Sequence, residues 1–116
     1  MLGKHWIIEV YDADPRVLDN RDTLEEMLCE VTRVYDVQIL HSHFHNFQPQ
    51  GITGIVMIAE SHLTIHTWPE FGYAGLDFFT CGKKTDTEQL SEILKKFLRT
   101  QNVILWAEHE RGVGIT

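Results

Sequence analysis

The chain is short of several features that would assign it at a glance. It has two cysteines, Cys29 and Cys81, in 116 residues, too few for a disulfide framework, and both are read as free thiols of a cytosolic protein. It has three prolines and no internal repeat, low-complexity segment or linker-like change of composition, so a single domain spanning 1–116 is expected. No apolar run approaches the roughly 20 residues of a membrane span. The opening "MLGKHWIIEVYDAD" lacks the charged n-region and small-residue cleavage site of a signal peptide, and a cytoplasmic protein without a membrane partner is expected. Basic residues are sparse: 10 Lys and Arg stand against 17 Asp and Glu, giving a formal net charge of −7. They form no stripe, which argues against a nucleic-acid phosphate surface. An acidic chain is better matched to a neutral or cationic small molecule.

What is present is ordinary globular composition, 43% hydrophobic and 23% charged, with clear changes of period along the chain. "HWIIEVYD" (5–12) reads as a strand broken at Pro15. Leu24, Met27, Leu28, Val31 and Val34 then recur at helical spacing, with Asp19, Asn20 and Asp22 offering capping oxygens. Strands are expected over 37–47, 51–60, 62–68 and 74–80. In "HLTIHTW", Leu63, Ile65 and Thr67 face one way and His62, Thr64, His66 and Trp68 the other. Thr85-Asp86-Thr87-Glu88 matches a capping box, ahead of Leu90, Ile93, Leu94, Phe97 and Leu98 at helical spacing. A last strand follows over 102–110.

The order β-α-β-β-β-β-α-β, with short central connections, demands antiparallel neighbours. The expected fold is therefore α+β: a two-layer sandwich of one antiparallel sheet with two helices on one face. The other sheet face has no helix left to cover it. The sheet of a second copy would do so, giving an αββα homodimer.

The reactive residues concentrate in "AESHLTIHTWPEFGYAGLDFFTCG" (59–82). Ser61 lies in E-S-H rather than G-x-S-x-G, which argues against a Ser/His hydrolase. His41, His43 and His45 alternate along one strand face, a spacing that would allow a zinc site. The more ordinary reading is a solvated strand face, and no metal is assigned. Cys29, within the first helix, is expected to be buried packing. Asp77 interrupts an apolar strand, either as a site carboxylate or as a structural acceptor.

The run "ESHLTIHTWPEFGYAGLDFFTCG" closely resembles the processing and catalytic segment of the prokaryotic S-adenosylmethionine decarboxylase proenzymes, which are pyruvoyl-dependent. "GKHWIIEVYDADPRVLDN", "FHNFQPQGITGIVMIAE" and "AEHERG" extend the resemblance over roughly residues 3–112. It implies self-cleavage between Glu60 and Ser61 into a 1–60 and a 61–116 chain. The Ser61 hydroxyl would attack the Glu60 carbonyl, and β-elimination and hydrolysis would convert Ser61 to a pyruvoyl group. The ketone would form a Schiff base with the substrate amine and accept electrons as CO₂ leaves.

The resemblance also assigns roles to single residues. His66 handles protons during processing, and Thr53 supports it at a position where relatives often carry serine. Cys81 reprotonates the substrate carbon. Phe47 and Trp68 match aromatic positions suited to flanking an adenine; Glu70 is the candidate for the ribose hydroxyls, because a carboxylate accepts two hydrogen bonds. The product would be the aminopropyl donor for spermidine synthesis. Departures from the family pattern around His41, His43, Gln48 and Gln50 leave the same chemistry on arginine or ornithine open as an alternative. A second alternative, of another class, is an unprocessed homologue acting as a binding or regulatory subunit.

Overall fold

The computed structural model describes residues 1–115. Six strands form one sheet: β1 (Gly3–Val10), β2 (Gln38–Asn46), β3 (Ile52–Ala59), β4 (Ser61–Trp68), β5 (Tyr73–Thr80) and β6 (Val103–Arg111). Their order is β2-β3-β4-β5-β1-β6, and every neighbouring pair is antiparallel. Helices α1 (Pro15–Leu18), α2 (Arg21–Val34) and α3 (Glu88–Leu98) all serve the same face. The expected α+β two-layer sandwich is the fold observed.

The core lies between the sheet and those helices. Trp6, Ile8, Val56, Leu63, Ile65, Leu76 and Phe78 meet Leu24, Met27, Leu28, Val31, Leu90 and Leu94 in one buried cluster. Fully burying a side chain of this size contributes about 1.5–3 kcal/mol. Phe44 reaches this layer from β2 because Gly54, on the adjoining strand, has no Cβ to oppose its ring. Thr67 is buried among these groups, but its hydroxyl is satisfied. It donates to Leu18 O at 2.8 Å and accepts from Ile52 N at 2.9 Å, joining α1 to the sheet.

Three local expectations are corrected. Pro15 opens a helix rather than only ending a strand: it stands in the first turn of α1, where its missing N–H costs nothing. Asp14 caps that turn, accepting from Arg16 N at 2.9 Å. The capping box at Thr85–Glu88 does not form. The cap residue of α3 is Thr87, and its side chain makes no capping bond. Tyr35 acts in its place, its hydroxyl accepting from Leu90 N at 3.0 Å and donating to Asp86 O at 2.8 Å. Cys29 is exposed, because it sits about 100° around α2 from buried Leu28 and so clears the packed arc. The cap of α2, by contrast, is among those anticipated: Asn20 Oδ1 accepts from Thr23 N at 3.1 Å.

The opposite sheet face carries no helix. Residues paired across a ladder share a face, so the register assigns this outer surface directly. His45–Thr53–His66–Gly75 forms one row, His43–Ile55–Thr64–Asp77–Ile7 the next, and His41–Met57–His62–Phe79–His5–His109 the third. All 7 histidines of the chain lie on this face. Ile55 and Met57, at its centre, are each 49% exposed.

Candidate active site

The predicted site residues fall into two groups at opposite ends of the central strands. The first surrounds the β3–β4 hairpin. Ile58 pairs with Ser61, so Ala59 and Glu60 make a two-residue connection and the Glu60–Ser61 bond lies at the exit of a tight turn. Glu60 is exposed. Ser61 begins β4 and shares the parity of Leu63 and Ile65, the helix-facing side. Among the described residues, Ser61 Oγ is the one buried side-chain oxygen or nitrogen without a hydrogen-bond partner. A hydroxyl left so costs about 1–3 kcal/mol, and attack on the carbonyl of the preceding residue would close an unstrained five-membered ring.

Cys81 belongs to the same end. It follows β5, is exposed, and lies across from Gly3 on β1. A Cβ at position 3 would come within 3.1 Å of Cys81 Sγ and 2.7 Å of Thr80 O, so glycine there keeps the thiol uncrowded.

The second group lies at the far end. Thr53 and His66 are directly paired across β3 and β4, and Thr53 Oγ1 is 3.0 Å from His66 Nδ1. Trp68 is 41% and Phe47 49% exposed. The Phe47 ring meets His45 at 4.6 Å, and its backbone N–H closes a loop onto Gly51 O at 2.8 Å. Trp68 packs against Tyr73 at 5.4 Å. Glu70 is exposed in the single 3-10 turn Pro69–Phe71 that follows. The Tyr73 hydroxyl donates to Glu9 at 2.7 Å. Burial, helped by the hydrogen bond to Glu9 and its charge, pushes the Tyr73 phenol up to about 12.

One chain therefore does not bring the two groups together. Five residues of strand separate Ser61 from His66, about 16 Å, and the odd spacing puts their side chains on opposite faces.

The outer surface beside Ser61 holds residues that sequence reasoning left out. Asp77, whose role was open, is a hydrogen-bond acceptor: His5 Nε2 lies 3.1 Å from Oδ1 and Thr64 Oγ1 3.5 Å from Oδ2. Arg111 Nη1 lies 3.5 Å from His5 Nδ1, and its guanidinium stands 5.3 Å from the centroid of Phe79. The alternation in "KHWIIEV" signals that His5 points away from Trp6. Nothing local signals that β1 lies beside β5, which is what brings His5 to Asp77. A cleft of about 1040 Å³ joins Glu60, Ser61, His62, Thr64, Phe79 and Arg111. His41, His43 and His45 share the outer face, but among the described residues no three His, Cys, Asp or Glu side chains are arranged to hold a metal ion.

Comparison with known proteins bears on the family of the chain. The family model described as S-adenosylmethionine decarboxylase matches residues 4–112. The S-adenosylmethionine decarboxylase proenzyme of Thermotoga petrophila is 47% identical over 111 residues, covering 96% of this chain and 85% of that protein. That of Thermoanaerobacter sp. is 43% identical over 112 residues, covering 97% and 90%. The crystal structure of the adenosylmethionine decarboxylase from Aquifex aeolicus superposes with a TM-score of 0.84 at 33% identity, over 97% of this chain and 92% of that one. With a family match across nearly its whole length and a fold shared with a solved member, the chain belongs to the S-adenosylmethionine decarboxylase family.

Proposed function

We propose that the protein is a proenzyme that cuts itself between Glu60 and Ser61 and then decarboxylates S-adenosylmethionine through a pyruvoyl group made from Ser61. The observation that carries this is the Ser61 hydroxyl, buried, unpartnered and next to the exposed turn at Glu60. A hydroxyl without a hydrogen bond is free to attack the Glu60 carbonyl. Acyl transfer from nitrogen to Oγ, then loss of the Ser61 α-proton, releases Glu60 as a carboxylate. Hydrolysis of the resulting dehydroalanine expels ammonia. The pyruvoyl ketone, once formed, supplies an electron sink for the carbanion left when CO₂ departs.

The residues around it divide the remaining work. Cys81 is read as the proton donor to the substrate carbon; its exposed thiol lies at the same end as Ser61. His66 and Thr53 are read as the proton-handling pair of the cleavage step. Phe47 and Trp68 offer half-exposed aromatic faces to an adenine and a sulfonium, and Glu70 an exposed carboxylate to ribose hydroxyls. The roughly 16 Å between Ser61 and His66 favours a homodimer with the outer sheet faces apposed about a two-fold axis. The far end of one copy then meets the cleavage end of the other. Exposed Ile55 and Met57 give that face its apolar centre. No helix of the described residues is long and apolar enough to cross a membrane, and the two free, exposed thiols suit the cytoplasm. Neither the arginine or ornithine reading nor the non-catalytic one is favoured by the relatives described above.

Intact-mass measurement of purified protein, with a decarboxylation assay, tests the reading. Two chains are expected, 1–60 and a 61–116 chain lighter by one ammonia than its serine-initiated form, with CO₂ released from S-adenosylmethionine. Ser61→Ala should remain one inactive chain. A single uncut chain that nevertheless decarboxylates would overturn it.

A further inference from the structure

The cleft beside Ser61 contains a cation that the steps above leave without a role. Arg111 ends β6, yet its guanidinium reaches over Phe79 of β5. Among the described residues the arginines paired with carboxylates are Arg16, Arg33 and Arg99; Arg111 is not one of them. What holds it is a relay across the sheet. A guanidinium only donates, so His5 Nδ1 accepts from Arg111 at 3.5 Å. The His5 proton is then on Nε2, and it donates to Asp77 Oδ1 at 3.1 Å. Thr64 steadies the other Asp77 oxygen at 3.5 Å. This anchorage uses one of the five guanidinium N–H groups and leaves a planar fork in the cleft that also holds the Glu60–Ser61 bond. A rigid fork with unused donors matches the geometry of a carboxylate.

We propose that Arg111 is the carboxylate-binding residue of the Ser61 cleft. The inference rests on the function proposed above, which brings two carboxylates to this place: the α-carboxylate of the substrate and the one that cleavage releases on Glu60. Their shared chemistry is a negative fork within reach of the Ser61 position. For the substrate, the sign of the effect is fixed. Decarboxylation drains charge from the carboxylate, so a cation on it favours the bound ground state over the transition state. Arg111 then serves capture and orientation, and it is a binding residue rather than an accelerator of the chemical step.

The test uses the full chain carrying Arg111→Met, with Arg111→Lys as a variant that keeps the charge but not the fork. Three quantities are read: self-cleavage by intact mass, KM and kcat for S-adenosylmethionine, and inhibition by its methyl ester, which lacks the carboxylate charge. If the substrate is the ligand, Arg111→Met cleaves as the parent does and KM rises roughly 10- to 100-fold. In that case kcat is unchanged or higher, methyl-ester inhibition does not move, and Arg111→Lys recovers part of the loss. If Glu60 is the ligand, KM stays put and the variant cleaves slowly or sheds its 1–60 chain. Both results support the proposal. It is overturned if cleavage, chain retention and KM all match the parent, or if substrate and methyl ester weaken equally. Should Arg111→Met fail to fold, Arg111→Lys carries the same comparison. A parent protein that neither cleaves nor decarboxylates would instead remove the function itself, and the proposal with it.

Discussion

Ser61 and His66 share strand β4 but face opposite sides of the sheet, about 16 Å apart along it, whereas His66 and Thr53, 13 residues apart in sequence, are in hydrogen-bond contact at 3.0 Å. If both act in one reaction, as proposed above, the separation favours a site shared between two copies.

Mixed dimers test that directly. Ser61→Ala and His66→Ala are each expected to be inactive alone. Coexpressed, they form some dimers in which an intact Ser61 meets an intact His66. Activity should return to roughly a quarter of the parent level, since about half the dimers are mixed and each carries one complete site. No recovery, with mixed dimers demonstrated, would place the whole site within one copy.

Cys81→Ala separates the two stages of the chemistry. The thiol is read as a donor in turnover and not in peptide cleavage. The variant should split at Glu60 at the parent rate while kcat drops about 10²- to 10⁴-fold. Time-resolved gels and steady-state kinetics on the same preparation read both numbers, and slowed splitting would assign Cys81 to processing as well.

Tyr35→Phe removes only the hydroxyl that bridges Asp86 O and Leu90 N. The ring should keep its place against Trp6 and Phe78. The loss leaves a helix-terminal N–H without a partner, and a destabilisation of about 1–3 kcal/mol is expected. Chemical denaturation measures it, and a change within error would mean that water replaces the hydroxyl.

Tyr73 predicts an alkaline limb. Its phenol is held protonated to about 12, from an ordinary value of 10.0. The folded state therefore binds the proton more tightly than the unfolded state does. The resulting stabilisation is complete below pH 10 and disappears as the pH climbs to about 12. Tyr73→Phe should flatten the fall in stability across that window and leave the acid side unchanged, as followed by thermal melts at stepped pH.

Much of this protein could be read from period and spacing alone. The alternation of "HLTIHTW" matches the burial of β4, where Leu63, Ile65 and Thr67 are covered and His66 and Trp68 are not. Short connections and two amphipathic stretches were enough for the sheet and its helix layer. Most of what escaped depends on partners distant in sequence. The α3 cap is supplied by Tyr35, 55 residues away from Leu90, so a local box could not reveal it. Pro15 reads as a breaker until Asp14 is seen capping the turn it begins. Asp77 became intelligible only once β1 was known to insert between β5 and β6. The run E-S-H-L-T-I-H pointed to the candidate residues, but not to Ser61 and His66 pointing apart.

The order of the sheet decides what a cut at Glu60 would leave behind. The 1–60 piece contributes β1, β2 and β3, and the 61–116 piece β4, β5 and β6. In the order β2-β3-β4-β5-β1-β6, the β3–β4, β5–β1 and β1–β6 ladders each join strands of different pieces. The fragments are thus interleaved like folded fingers, with β1 clasped on both sides by the other polypeptide. Either piece leaves only by breaking all three of those ladders, so scission at the turn would turn one chain into a pair held together by the sheet itself.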